Sequence, residues 1–233
     1  MKKKSITHGL FFILLFLLAG NSLKAQVSAL SDLNAGTLAV YCPLDQVKLT
    51  SASTGAVSYV WKRYVGTTAT GTATTLSGTT ANLTDAPTVP GYYTYVSTGS
   101  NADGCESTVS DPVTIYMLPG ITAAIVSSNP ATTQYCSTQI PAALTLTATG
   151  GKAQAVPETF AYKYQWYKSG VAITNATAST YTINSTTDAV VGTNIAYTVK
   201  ITYVIKACTE TTSNAINFDV IATPTKPVIT ITS

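Results

Sequence analysis

Phe160-Ala-Tyr-Lys-Tyr-Gln-Trp-Tyr-Lys-Ser-Gly170 decides the fold. Phe160, Tyr162, Tyr164 and Trp166 alternate with Ala161, Lys163, Gln165 and Tyr167, a period of two that puts the first set on one face of a β-strand. Gly170 follows as a turn signal. Thr180-Tyr-Thr-Ile183 and Tyr197-Thr-Val-Lys-Ile-Thr-Tyr203 alternate in the same way. Gly66, Gly71 and Gly78 break up the earlier part of the chain, and Gly150-Gly151 reads as a further turn. The 42 threonines among 233 residues suit solvent-facing strand positions. Charged residues make up only 10%, against the usual quarter, which disfavours helices laced with Glu and Lys.

The strand pattern occurs twice. One copy has Tyr41-Cys42, Gln46-Val-Lys-Leu-Thr50, Tyr59-Val-Trp61-Lys62, Gly91-Tyr-Tyr-Thr-Tyr95 and Cys105. The other has Tyr135-Cys136, Leu144-Thr-Leu-Thr147, Tyr164-Gln-Trp166-Tyr-Lys168, Tyr197-Thr-Val199 and Cys208. Many short strands in about 100 residues per copy predict two antiparallel β-sandwiches. Leu118-Pro119-Gly120 marks the boundary, giving copies over 26–118 and 119–224. Residues 225–233 contain Val228-Ile-Thr-Ile-Thr232, which resembles Ile121-Thr-Ala-Ala-Ile125 at the start of copy two. That segment is a truncated third module, a tail folded back on copy two, or an apolar strand that adds to the edge of a partner's sheet. Four cysteines allow three pairings, and the repeat favours Cys42–Cys105 and Cys136–Cys208, one bridge in each copy.

Residues 1–25 read as an address. Met1 to Lys4 is cationic, Gly9 to Ala19 is apolar, and small residues precede a cut after Ala25. This is the pattern of a secretory signal peptide, and its apolar run is well short of the ~20 residues a spanning helix needs. The expectation is a secreted, periplasmic or cell-surface protein with no stable membrane insertion after cleavage. Beyond residue 25 the chain carries nine basic and ten acidic residues and no histidine. That near-neutral balance disfavours nucleic acid as a partner. Without histidine a Ser-His-Asp or Cys-His arrangement is excluded, and zinc loses its commonest nitrogen ligand.

Trp166-Tyr-Lys-Ser-Gly170-Val-Ala-Ile173, followed by Ala176-Thr-Ala-Ser-Thr-Tyr181-Thr-Ile183, resembles the C–C′–E region of immunoglobulin-like domains. More narrowly, both copies resemble the Ig-like repeats of exported and cell-surface proteins of Bacteroidetes-type bacteria. The resemblance covers nearly all of residues 30–224 and is looser in copy one, where Gly66 to Thr84 is Thr-rich and unpatterned. It implies Trp61 and Trp166 as core anchors, with Tyr93 and Tyr197 as tyrosine corners whose hydroxyls bond upstream backbone. Tyr92 and Tyr95 compete with Tyr93 for that role. Val199 and Tyr95 stand two residues beyond those tyrosines, where antibody domains carry the strand-F cysteine.

No cofactor, metal site or catalytic residue is expected. Asp103 and Glu106, the one close acidic pair, flank Gly104-Cys105 and read as turn chemistry rather than a calcium loop or a hydrolytic pair. Tyr64 and Tyr167 are the surface candidates for recognition. The insertion from Gly151 to Glu158 lengthens a loop at one sandwich end, where recognition would sit. The expected function is a non-enzymatic module for adhesion, protein interaction or spacing, with an unknown protein or glycan as partner. The alternative is a glycan-binding module using exposed tyrosines.

Overall fold

Alternation becomes strand throughout both copies. The computed structural model describes residues 38–141, 144–183 and 191–231. The expected leader over 1–25 lies outside the described residues. In copy one the strands are β1 (Ala39–Tyr41), β2 (Val47–Thr50), β3 (Ser58–Val65), β4 (Thr74–Leu76), β5 (Asn82–Asp85), β6 (Gly91–Ser100) and β7 (Val113–Met117). Those of copy two are β8 (Ile121–Ser127), β9 (Gln134–Cys136), β10 (Thr145–Lys152), β11 (Tyr162–Lys168), β12 (Val171–Ala172), β13 (Thr180–Thr182), β14 (Gly192–Tyr203), β15 (Thr211–Thr212) and β16 (Ile216–Ile221).

In copy one a sheet ordered β1-β7-β6-β3-β4 packs on the pair β2-β5. Val47 and Leu83 from the small sheet meet Trp61, Tyr93, Tyr95 and Ile115 from the large one. In copy two the order β12-β11-β14-β16-β9 packs on β13-β10-β8, with β15 added to β14. Here Ile125 and Leu146 meet Trp166, Tyr197, Val199, Ile201 and Phe218. The protein is all-β, built of β-sandwiches. The Thr-rich middle of copy one supplies two strands after all: Leu76 on β4 and Leu83 on β5 face the core, which leaves threonine to face water.

Two pairings run parallel rather than antiparallel, β1 with β7 and β9 with β16. They overturn the expected disulfides. Tyr41 pairs with Met117, and Met117 pairs with Gly91, so Cys42 lies at the Gly91 end of β6. Cys105 follows Ser100 at the other end of that ten-residue strand, about 30 Å away at 3.3 Å per residue. A disulfide tolerates no more than ~7 Å between Cα atoms, so Cys42–Cys105 cannot form. In copy two Cys136 lies beside Ile221 at the Gly192 end of β14, and Cys208 lies beyond Tyr203 at the opposite end. The bridge that does form is Cys42–Cys208, which joins the copies across a sequence separation of 166. Cys105 and Cys136 are free thiols.

Gly150-Gly151 is a second correction, for both residues lie inside β10 and make no turn. A Cβ on Gly150 would come within 3.0 Å of the Tyr162 ring and 3.3 Å of Ile201. Glycine is there to let the opposite sheet approach.

Candidate functional site

The densest set of unexpected interactions lies where copy one passes into copy two. Leu38, Tyr116 and Leu118 of copy one and Tyr203 of copy two form a buried cluster, flanked by Val40, Tyr92, Phe160, Tyr162 and Ile205. Its rings run as a continuous series. Tyr92 meets Tyr116 at 4.7 Å, Tyr116 meets Phe160 at 5.9 Å, Phe160 meets Tyr203 at 5.3 Å and Tyr203 meets Tyr162 at 5.5 Å. Each such pair contributes about 0.5–1.5 kcal/mol beyond its buried area.

The three-residue connection has almost every polar backbone group engaged, which leaves it little freedom to hinge. Leu118 N–H donates to the Tyr41 carbonyl at 2.9 Å, and the Pro119 carbonyl accepts from the buried Tyr203 hydroxyl at 2.9 Å. Gly120 N–H donates to Gln154 Oε1 at 2.8 Å, while the Gly120 carbonyl accepts from Ala153 N–H at 2.7 Å. The Tyr116 hydroxyl donates to Glu158 Oε2 at 2.8 Å, and the Lys152 ammonium donates to the carbonyls of Val156 and Glu158. The insertion over 151–158, expected to be a free recognition loop, is therefore a clamp across the joint. Lys152 and Glu158 stand out in a chain with few charges, but nothing in their spacing points across the joint. The Cys42–Cys208 bridge closes the assembly on its outer side, where the Lys206 ammonium also sits 5.6 Å from the centre of the Tyr41 ring.

Trp61 and Trp166 are buried, and their indole N–H groups donate to the Thr80 carbonyl at 3.1 Å and the Ala178 carbonyl at 2.9 Å. The Tyr93 hydroxyl donates to the Val89 carbonyl four residues upstream at 2.6 Å, the geometry of a tyrosine corner. Register relative to the tryptophans pairs the copies differently. Trp61 stands opposite Ser97 and Trp166 opposite Val199, so Tyr95, not Tyr93, is the counterpart of Tyr197. Tyr95 donates to Asp85 Oδ2 at 2.8 Å, and Asp85 is held in turn by Arg63 Nη1 at 2.8 Å. Both tyrosines are used because Arg63 reaches over the Tyr93 ring, 5.4 Å from its centre, to the same carboxylate. Replacing Tyr93 with Phe removes the Val89 bond alone. The expected loss is about 1 kcal/mol in a urea titration, and no loss would show that the corner contributes nothing.

Tyr64 and Tyr167 are half-buried and lie on different copies, so they do not form one aromatic platform. The Lys200 ammonium covers the Tyr167 ring at 4.9 Å and also meets Glu210 at 3.3 Å. Around Asp103 and Glu106 the loop is a turn: Asn101 Oδ1 accepts from the N–H groups of Asp103 and Cys105, and Gly104 takes φ +84. The carboxamide oxygen that a cation would need is thereby engaged. Among the described residues no group of His, Cys, Asp and Glu could hold a metal ion, and no helix is long and apolar enough to cross a membrane.

Three fully buried phenols give the fold a pH limit. Burial pushes Tyr95, Tyr116 and Tyr203 above the ordinary tyrosine value, and hydrogen bonds to Asp85 and Glu158 add to the shift for the first two. Folded values above unfolded ones leave stability intact below the unfolded value of about 10 and remove it as pH rises further. Urea midpoints are expected to hold to about pH 9 and to fall steeply by about pH 11. An unchanged midpoint at the higher pH would show that these hydroxyls ionise freely in the folded protein.

No family model matches the chain, and no curated protein matches it by sequence. Solved structures do match, at low identity. The fibronectin(III)-like modules of Clostridium thermocellum CbhA align over 79% of this chain and 90% of their own, with 14% identity and a TM-score of 0.35. The four N-terminal Ig domains of Dscam1 isoform 1.9 align over 79% of this chain and 43% of theirs, with 14% identity and a TM-score of 0.34. The chain in a structure giving insight into host cell surface retention of a 1.5-MDa bacterial ice-binding adhesin aligns over 79% of this chain and 61% of its own, with 13% identity and a TM-score of 0.34.

Proposed function

We propose that the chain is an exported, non-enzymatic spacer that presents a sandwich end at a distance from a bacterial surface, for adhesion or protein interaction. The observation that carries this reading is the joint. A bridge, a ring series and a hydrogen-bonded three-residue connection together fix one sandwich on the next. Such a stiff joint sets reach and direction in a rod. The leader-like residues 1–25 and the oxidising compartment they imply fit a bridge that must persist.

Small-angle X-ray scattering of the oxidised mature chain tests the reading. The expected profile is that of one extended shape. The same chain carrying Cys42→Ser, Cys208→Ser and Tyr203→Ala is expected to give a broad distribution of lengths. A broad distribution already present in the oxidised wild type would contradict the spacer role. Glycan binding by the tyrosines is the competing reading, and a glycan array on which millimolar sugars fail to bind counts against it.

A further inference from the structure

The two free thiols occupy the positions whose repeat equivalents make the one bridge. Cys42 follows the short parallel strand of copy one, as Cys136 ends that of copy two. Cys208 lies past the long strand β14, as Cys105 lies past β6. The bridge therefore runs from the first kind of position in one copy to the second kind in the next. Cys136 and Cys105 are the unfilled halves of that same joint. Cys105 is exposed and Cys136 half-buried, and the strand registers put them at opposite ends of the two-copy rod. They cannot meet within one molecule.

We propose that Cys136 of one molecule and Cys105 of a second copy of this chain close a disulfide that repeats the Cys42–Cys208 joint and builds a head-to-tail filament. Because the contact uses two different patches, it is heterologous and leaves a new Cys136 and a new Cys105 at the ends, so growth is open-ended. The reaction is thiol–disulfide exchange with a disulfide oxidant, such as an oxidised dithiol oxidoreductase. One cysteine thiolate attacks the oxidant's disulfide to give a mixed disulfide and one released thiol. The second cysteine then displaces the remaining thiol, and two protons and two electrons leave with the reduced dithiol.

The C-terminal tail points to the same contact independently. In copy two, β8 leaves the Pro119-Gly120 connection and pairs with β10 along seven residues. In copy one, β2 is the counterpart of β10, and among the described residues it pairs with β5 alone. Val228, Ile229 and Ile231 follow Pro227 in a segment of the same pattern as β8 and are 85%, 94% and 96% exposed. The tail leaves β16 beside Cys136, as β8 follows β7 beside Cys42 at the internal joint. Its place in the filament is beside β2 of the next molecule. The ring series is not repeated there. Counted from the tryptophans, Gly55, Val57 and Asn101 replace Phe160, Tyr162 and Tyr203, so the contact depends on the sulfur bridge and the strand.

The test oxidises the purified mature chain with glutathione disulfide and a dithiol oxidoreductase and follows it on non-reducing gels. The wild type is expected to give a ladder that collapses to monomer with reductant, with Cys136–Cys105 as its linking peptide. Cys105→Ser and Cys136→Ser are each expected to remain monomeric, and their equal mixture to stop at dimer. The filament is refuted by a wild type that remains monomeric with both thiols titratable. It is equally refuted by either single variant dimerising as readily as the wild type, which would mean a symmetric contact. Deleting residues 228–233 is expected to slow ladder formation, and an unchanged rate would remove the tail from the joint.

Discussion

Replacing Cys42 and Cys208 together with serine is expected to lower the stability of the oxidised protein by up to about 5 kcal/mol, the chain-entropy value for a loop of this length. The bridge spans 166 residues, so it restricts the unfolded ensemble of both copies at once. Over a chain of roughly 200 residues, each kcal/mol shifts Tm by about 2–4 °C, so the expected fall is about 10–20 °C. Neither cysteine is fully buried, so serine leaves no unpaired polar group in a core to confuse the result. Calorimetry of wild type and variant, both with Cys105 and Cys136 alkylated, measures it. A fall of only a degree or two would show that the copies unfold separately and gain little from being tied.

Trp166→Ala is expected to cost about 3–5 kcal/mol, the range for removing a large aromatic from a core. Trp166 is 0% exposed, packs a tilted ring against Tyr181 at 5.9 Å and donates its indole N–H to the Ala178 carbonyl. Its loss opens a cavity between β11 and the facing sheet, and it strands a carbonyl as well. Set against a whole-domain stability of ~5–15 kcal/mol, this brings copy two close to unfolding. The remaining Trp61 then reports on copy one by fluorescence. Because the joint couples the copies, the Trp61 transition is expected to move to lower urea in this variant. If it stays where it is in wild type, the joint transmits no stability.

How much of this was legible in the sequence follows from which features are periodic. The alternation from Phe160 to Trp166 and the recurrence of Tyr-Cys, Trp and Tyr-Thr expose strands and repeats, because a half-buried strand imposes a period of two on its side chains. The disulfide is not legible in the sequence, because repeat spacing gives the separation of cysteines along the chain and not the end of the sandwich each occupies. That end is set by β1 and β9, three-residue strands too short to show a period, running parallel to β7 and β16. Gly150-Gly151 is ambiguous in sequence for a related reason. Glycine marks either a turn or a close approach, and only the Tyr162 ring lying against Gly150 decides between them. The core tryptophans could be named from sequence alone. The joint could not, because Tyr116, Phe160 and Tyr203 are far apart in the chain and meet only once the copies are stacked.

One bridge between the copies holds the joint, and peptide mapping of oxidised, monomeric residues 26–233 under thiol-trapping conditions tests it most directly. The expected map contains one disulfide-linked pair carrying Cys42 and Cys208, with Cys105 and Cys136 recovered as alkylated thiols. Recovery of Cys42 with Cys105 and Cys136 with Cys208 would contradict the joint, the stiffness argued from it and the filament built on its pattern.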